Sequence, residues 1–123
     1  MNKTLFFLAL YLGSAATVLA DEELGPHQKF SGVYRIYGGE LGDPIAPTSK
    51  DQKIMFSISG QAAKKIFDAI GPDKKNVCTE RGGTRVRSKA DEKLFCSRSE
   101  KAEYFCNFGF DLQSGKSIPG IIC

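Results

Sequence analysis

The residues of this chain that could do chemistry are few and scattered. The one histidine, His27, stands in a polar stretch (DEELGPHQK, 21–29) interrupted by Gly25 and Pro26. A Ser-His-Asp or Cys-His set would need that imidazole held against a nucleophile, and a stretch of this composition reads as a mobile lead-in. The acidic residues, among them Glu40, Asp43, Glu80 and Asp111, form no pair that the sequence reveals. A hydrolase working through carboxylates needs two of them in one cleft, and it stands as the enzymatic alternative. Ser57-Ile58-Ser59-Gly60 precedes a helical pattern but lacks the glycine and lysine spacing of a phosphate loop. It reads as a helix cap, supplied by Ser59 or Gly60. No motif calls for a cofactor.

Two sets of residues carry more information. The first is the four cysteines, Cys78, Cys96, Cys106 and Cys123. They contain no close C-x-x-C pair and have no histidine near them, so zinc is a poor fit and no metal site is expected. An even number in an exported chain argues for two disulfides. Three connectivities exist. Sequential loops, Cys78–Cys96 with Cys106–Cys123, are the expected choice, because Cys96–Cys106 must cross directly between two hairpin strands. The second set is the basic run RGGTRVRSK, with Arg81, Arg85, Arg87 and Lys89. In a strand, Arg85 and Arg87 share a face and Val86 points the other way. Such a run is either a solvated surface or a binding site for an acidic protein surface, an anionic glycan or an anionic lipid headgroup.

The elements that must position these residues can be read from patterning. Val33, Tyr34, Ile36 and Tyr37 suit a strand over 30–37, closed by Gly38-Gly39. A loop with Pro44 and Pro47 follows over 40–52 and reads as mobile. Lys53 to Ser59 alternates Ile54, Phe56 and Ile58 against polar or flexible neighbours, a strand pattern. Ala62, Ala63, Ile66, Phe67 and Ile70 then recur at helical spacing over 61–70, and Gly71-Pro72 should stop the helix, with Gly71 left-handed. Leu94–Cys96 and Tyr104–Leu112 form a hairpin around a charged tip, 97–103. In its second strand Tyr104, Cys106, Phe108, Phe110 and Leu112 fall on one face.

The N-terminus has the form of a secretory signal. Lys3 precedes an apolar core, Leu5 to Leu12, and Val18-Leu19-Ala20 offers small residues for cleavage after Ala20. The expected organisation is a signal peptide over 1–20 and one domain over 21–123, without a membrane span after cleavage. The 123 residues suit one domain. A 41% hydrophobic and 25% charged composition argues against wholesale disorder. A net charge of +3, with no aromatics interleaved in the basic run, argues against nucleic acid as a partner.

Taken together, ISGQAAKKIF (58–67), EYFCNFGFDLQSGK (103–116) and Cys123 resemble small exported, disulfide-containing proteins of Gram-negative bacteria. The resemblance covers about residues 53–123. It implies a fold and a location and brings no catalytic residue. The expected fold is α+β: a small antiparallel sheet packed on one helix and stapled by two disulfides. The expected location is the periplasm or the extracellular space. The expected function is a non-enzymatic binding protein of the cell envelope, of an inhibitor or immunity type, with another envelope or extracellular protein as partner. The alternatives are the carboxylate-dependent hydrolase and a secreted effector.

Overall fold

A computed structural model describes residue 13 and residues 24–75 and 82–123 of the chain. The expected signal peptide, the Ala20 cleavage site, Cys78, Glu80 and Arg81 lie outside the described residues. Among the described residues, no helix is long and apolar enough to cross a membrane.

The described chain folds into one antiparallel sheet with a single short helix on it. In chain order the elements are β1 (Ser31–Glu40), β2 (Asp43–Ile45), β3 (Lys53–Ser59), α1 (Gln61–Ala69), β4 (Arg85–Lys89), β5 (Leu94–Arg98), β6 (Tyr104–Asp111) and β7 (Ser117–Ile118). The spatial order is β2-β1-β3-β6-β5-β4, and β7 pairs with β6. This corrects the α+β expectation: the architecture is predominantly antiparallel β, with 45% strand and 11% helix. The extra sheet comes from segments whose side chains hide it. β2 contains Pro44 and faces solvent throughout, and β4 (RVRSK) is dominated by charge. Pairing supplies their backbone bonds where side-chain patterning gives little signal.

Two loop readings change with it. β1 runs through Gly38-Gly39 and turns at Leu41-Gly42 into β2, with Gly38 opposite Ile45. The rest of 40–52 is tied back: Thr48 bridges Asp51, Asp51 Oδ2 accepts from Gly39 N at 2.8 Å, and Lys53 Nζ donates to the Gly39 carbonyl at 2.9 Å.

The register places side chains in rows across the sheet. Gly32, Ile58, Cys106, Cys96 and Arg87 form one row on the helix-bearing face. Tyr34, Phe56 and Phe108 form the next, and Ile36, Ile54 and Phe110 the one after. α1 covers only the first of these. Its Ala63 and Phe67 are buried with Ile58, Cys96 and Cys106 in the core cluster. On the opposite face Val86, Phe95, Ser88 and Asn107 are buried, as is Tyr37 at the far end.

The disulfide arrangement is also corrected. Cys96 bonds to Cys106, directly opposite it across β5 and β6, with Cα atoms 4.1 Å apart. The expected Cys78–Cys96 and Cys106–Cys123 pairing is therefore excluded. The crossing is accessible because the two cysteines form the closely spaced kind of antiparallel pair, in which backbone groups turn away and side chains approach. Among the described residues this is the single disulfide with both ends in view, in place of the two expected. Cys123 is itself disulfide-bonded.

α1 begins at Gln61 with Gly60 as its cap, one of the two residues the sequence offered, but it ends differently. Gly60 precedes it at φ 76° and ψ −145°, without any side-chain cap. That conformation suits glycine, which has no Cβ to clash. Gly71 is not among the residues with positive φ. The helix end is closed by a side chain from the sheet: Arg87 Nη1 donates to the Phe67 carbonyl at 2.8 Å. That carbonyl lies in the last turn, where intrahelical donors run out.

Candidate binding face

Because α1 is only nine residues long, about 14 Å at the standard rise, the neighbouring rows of the sheet are only partly covered, although Phe108 still packs against the core cluster. They are aromatic. Tyr34 and Phe56 have ring centroids 6.3 Å apart, and Phe56 stacks on Phe108 at 5.1 Å. Phe110 meets Phe56 edge-on at 6.5 Å and Phe108 at 6.2 Å. These are the separations at which aromatic pairs attract beyond their buried area, and cross-strand neighbours hold each ring in place. The result is a pre-formed apolar platform across β1, β3 and β6. Its rim is open: Tyr34 is 68% exposed and Ile36 43%. Phe56, Phe108 and Phe110 are themselves half-buried, so the exposed part of the platform is its Tyr34–Ile36 margin, and exposed apolar surface of this kind is where a partner can dock.

Beside the platform lies a cleft of about 860 Å³, lined by Leu24, Phe30, Ile58, Ala62, Lys65 and Phe108. The lead-in 24–30 forms its outer wall, so the stretch read as mobile crosses the helix-bearing face beyond the start of β1. His27 belongs to that lead-in and is exposed. It meets no nucleophile.

The basic run is drawn inward. Arg85 Nε and Nη2 donate to Asp73 Oδ2 and Oδ1 at 2.8 and 3.2 Å, and Arg87 Nε donates to Asp73 Oδ1 at 2.7 Å. The Arg87 guanidinium also lies 4.3 Å from the Phe67 ring centroid, with that of Arg85 at 5.4 Å. Hydrogen bonds from Arg85 and then Arg87 hold the Asp73 carboxyl down at about 2, because they favour its charged form. The two arginines do share a face, and Val86 is buried on the other side. Two nitrogens of each guanidinium are engaged within the molecule, Arg85 Nε and Nη2 and Arg87 Nε and Nη1. Lys89 is exposed at the end of β4, beside a polar cleft shared with Lys74, Ser88, Asp91 and Glu92.

The carboxylates have structural work. Asp111 Oδ1 accepts from Gln113 N at 2.9 Å and Ser114 N at 3.3 Å, holding the β6–β7 turn. Asp51 pairs with Lys53 at 2.6 Å, and Glu40 stands opposite Asp43 at the β1–β2 turn. Burial pushes the nearby Tyr37 hydroxyl above its ordinary value. Glu40, Asp51 and Asp111 all lie near enough to Tyr37 and Lys53 to act on both electrostatically, so these acids gather around a lysine and a buried tyrosine at one end of the sheet.

Comparison with protein-family models, curated proteins and solved structures found no match.

The sequence reading named neither the platform nor its residues as a site. The signal was present, since the alternation in β3 and β6 predicts an apolar ladder. Alternation alone assigns that ladder to a core, and only the length and position of α1 show that Phe56, Phe108 and Phe110 are left half-buried.

Proposed function

We propose that the protein is an exported, non-enzymatic binding protein of the cell envelope, of the inhibitor or immunity type. It holds an envelope or extracellular protein on the aromatic platform. The observation that carries this reading is the row of rings Tyr34–Phe56–Phe108, with Phe110 beside it, half-buried in its interior and open at Tyr34. A rigid aromatic surface contributes large contact area at little conformational cost, which is why aromatic residues dominate the energetic centres of protein interfaces. The disulfide between Cys96 and Cys106 supports the reading by fixing β6 against β5, so the platform is rigid before a partner arrives. It is also compatible with an oxidising compartment.

The contact is placed on the sheet face in preference to the basic run, because Arg85 and Arg87 are occupied by Asp73 and the end of α1. The test is capture from envelope extract with oxidised protein as bait, run beside Phe110→Ala and Lys89→Ala. A partner held stoichiometrically by wild type and Lys89→Ala and lost with folded Phe110→Ala supports the platform. Equal capture by all three moves the contact elsewhere. No capture from envelope or culture medium removes tight protein binding as the function.

A further inference from the structure

The outer edge of β1 is open over most of its length. β2 pairs only with Gly38 to Glu40, while Ser31 to Tyr37 pair with β3 on the inner side alone. The direction of the free backbone groups follows from Gly39. Its N–H donates to Asp51 and its carbonyl accepts from Lys53, both on the β3 side. Backbone groups alternate in direction along a strand, so Gly32, Tyr34 and Ile36 turn their N–H and C=O groups outward. Among the described residues, no hydrogen bond to any of them closes this edge.

Natural sheets protect such an edge with proline, charge, a bulge or a covering segment. The opposite edge has one of these: Lys74 N donates to the Val86 carbonyl at 2.7 Å. The open part of β1 has no proline and one charge, Arg35, and it exposes Val33 and Tyr34 at 72% and 68%.

We propose that this edge pairs with the same edge of a second copy of the chain, antiparallel, about a two-fold axis at Tyr34. Four features select a copy of the chain as occupant. The open segment, 31–37, is centred on Tyr34, so an antiparallel copy matches it end for end. Where β2 of one protomer begins, at Gly38, the partner strand has already ended at Ser31. Its preceding residues have left the sheet line for the cleft beside α1. This register sets Gly32 opposite Ile36 of the second copy, small against large, and each outward N–H meets an outward C=O. Arg35 falls opposite Val33, so no like charges face each other. The two Tyr34 rings become neighbours on one face, and the aromatic rows of the two protomers join across the axis. The contact is narrower than a standard interface, the class to which weak and transient associations belong, so the pairing is sought at micromolar concentration and above. It does not rest on the envelope partner proposed above, since it is read from purified protein alone.

The experiment is sedimentation of the purified, disulfide-intact protein over a concentration series. Wild type should pass from one copy to two across the micromolar range. Tyr34→Lys and Tyr34→Glu each put like charges at the axis, and each should weaken association at least tenfold. An equimolar mixture of the two should restore it. Amide exchange should slow with concentration at Gly32, Tyr34 and Ile36, and stay unchanged at Val33 and Arg35, which already bond β3. Wild type remaining at one copy up to millimolar concentration overturns the proposal. So does either charged variant associating as wild type does, or a mixture that does not recover. Because Tyr34 is 68% exposed, neither variant threatens the fold.

Discussion

Replacing Arg87 by alanine should destabilise the domain far more than an ordinary change on a charged strand. The side chain is 17% exposed. It donates to the Phe67 carbonyl at 2.8 Å, and its guanidinium stacks 4.3 Å from the ring centre of the buried Phe67. A hydrogen bond from a charged group is worth about 1.5–3 kcal/mol, and a partly desolvated cation–π contact about 0.5–2 kcal/mol. The two share one side chain and do not add fully, so the expected loss for Arg87→Ala is about 2–3 kcal/mol. For a domain of this size that lowers the melting temperature by roughly 10–20 °C. Urea and thermal unfolding followed by circular dichroism measure it. Arg87→Lys retains charge but cannot offer a planar fork to the helix end and the ring together, so it should recover only part of the loss. Lys89→Ala, on the same strand and exposed, should stay within about 0.5 kcal/mol of wild type. If Arg87→Ala also stays within about 0.5 kcal/mol, the idea that this arginine closes the end of α1 is wrong.

Other expectations follow from the same contacts. Asp73 has a folded-state value of about 2 against an ordinary 3.8, so its contribution is present above pH 3.8 and is lost as pH falls toward about 2. Asp73→Asn should flatten acid unfolding in that window, and an unchanged acid limb would contradict the pairing. Replacing Cys96 and Cys106 together by alanine should cost about 2–4 kcal/mol in urea unfolding; the paired change isolates this bond from the one at Cys123. Gly120 is buried, and a Cβ there would meet the Phe108 backbone at 2.5 Å. Gly120→Ala should therefore cost about 1–3 kcal/mol, whereas alanine at Gly82, where nothing lies within 4 Å, should cost little.

Much of the sheet was legible in the chain. The alternation of Ile54, Phe56 and Ile58 gave β3, and that of Tyr104, Cys106, Phe108 and Phe110 gave β6, because a period of two survives wherever one face is apolar. The stripe Ala63, Ile66 and Phe67 gave α1 for the parallel reason at helical spacing. β2 and β4 were hidden because their side chains are solvated or paired with other charges, so their membership rests on backbone bonds. The candidate site was half legible. Phe108 and Phe110 can be read on one ladder and Phe56 on another from sequence, but their alignment with Tyr34 across three strands cannot. The basic run read as either a solvated surface or a binding site, yet Asp73 and the Phe67 carbonyl engage its two central arginines.

By itself, the amino-acid sequence determined which residues alternate, where α1 lies and that Arg85 and Arg87 share a face. These are local properties, set by strand and helix periods that act over a few residues. The tertiary structure alone decided that Cys96 joins Cys106, that Arg87 closes the end of α1 and that a nine-residue helix leaves an aromatic row only partly covered. Each of those depends on register between segments far apart in the chain. Many registers are compatible with one apolar pattern, and the folded molecule selects the one that buries Phe67 beneath two arginines and leaves the outer edge of β1 unpaired.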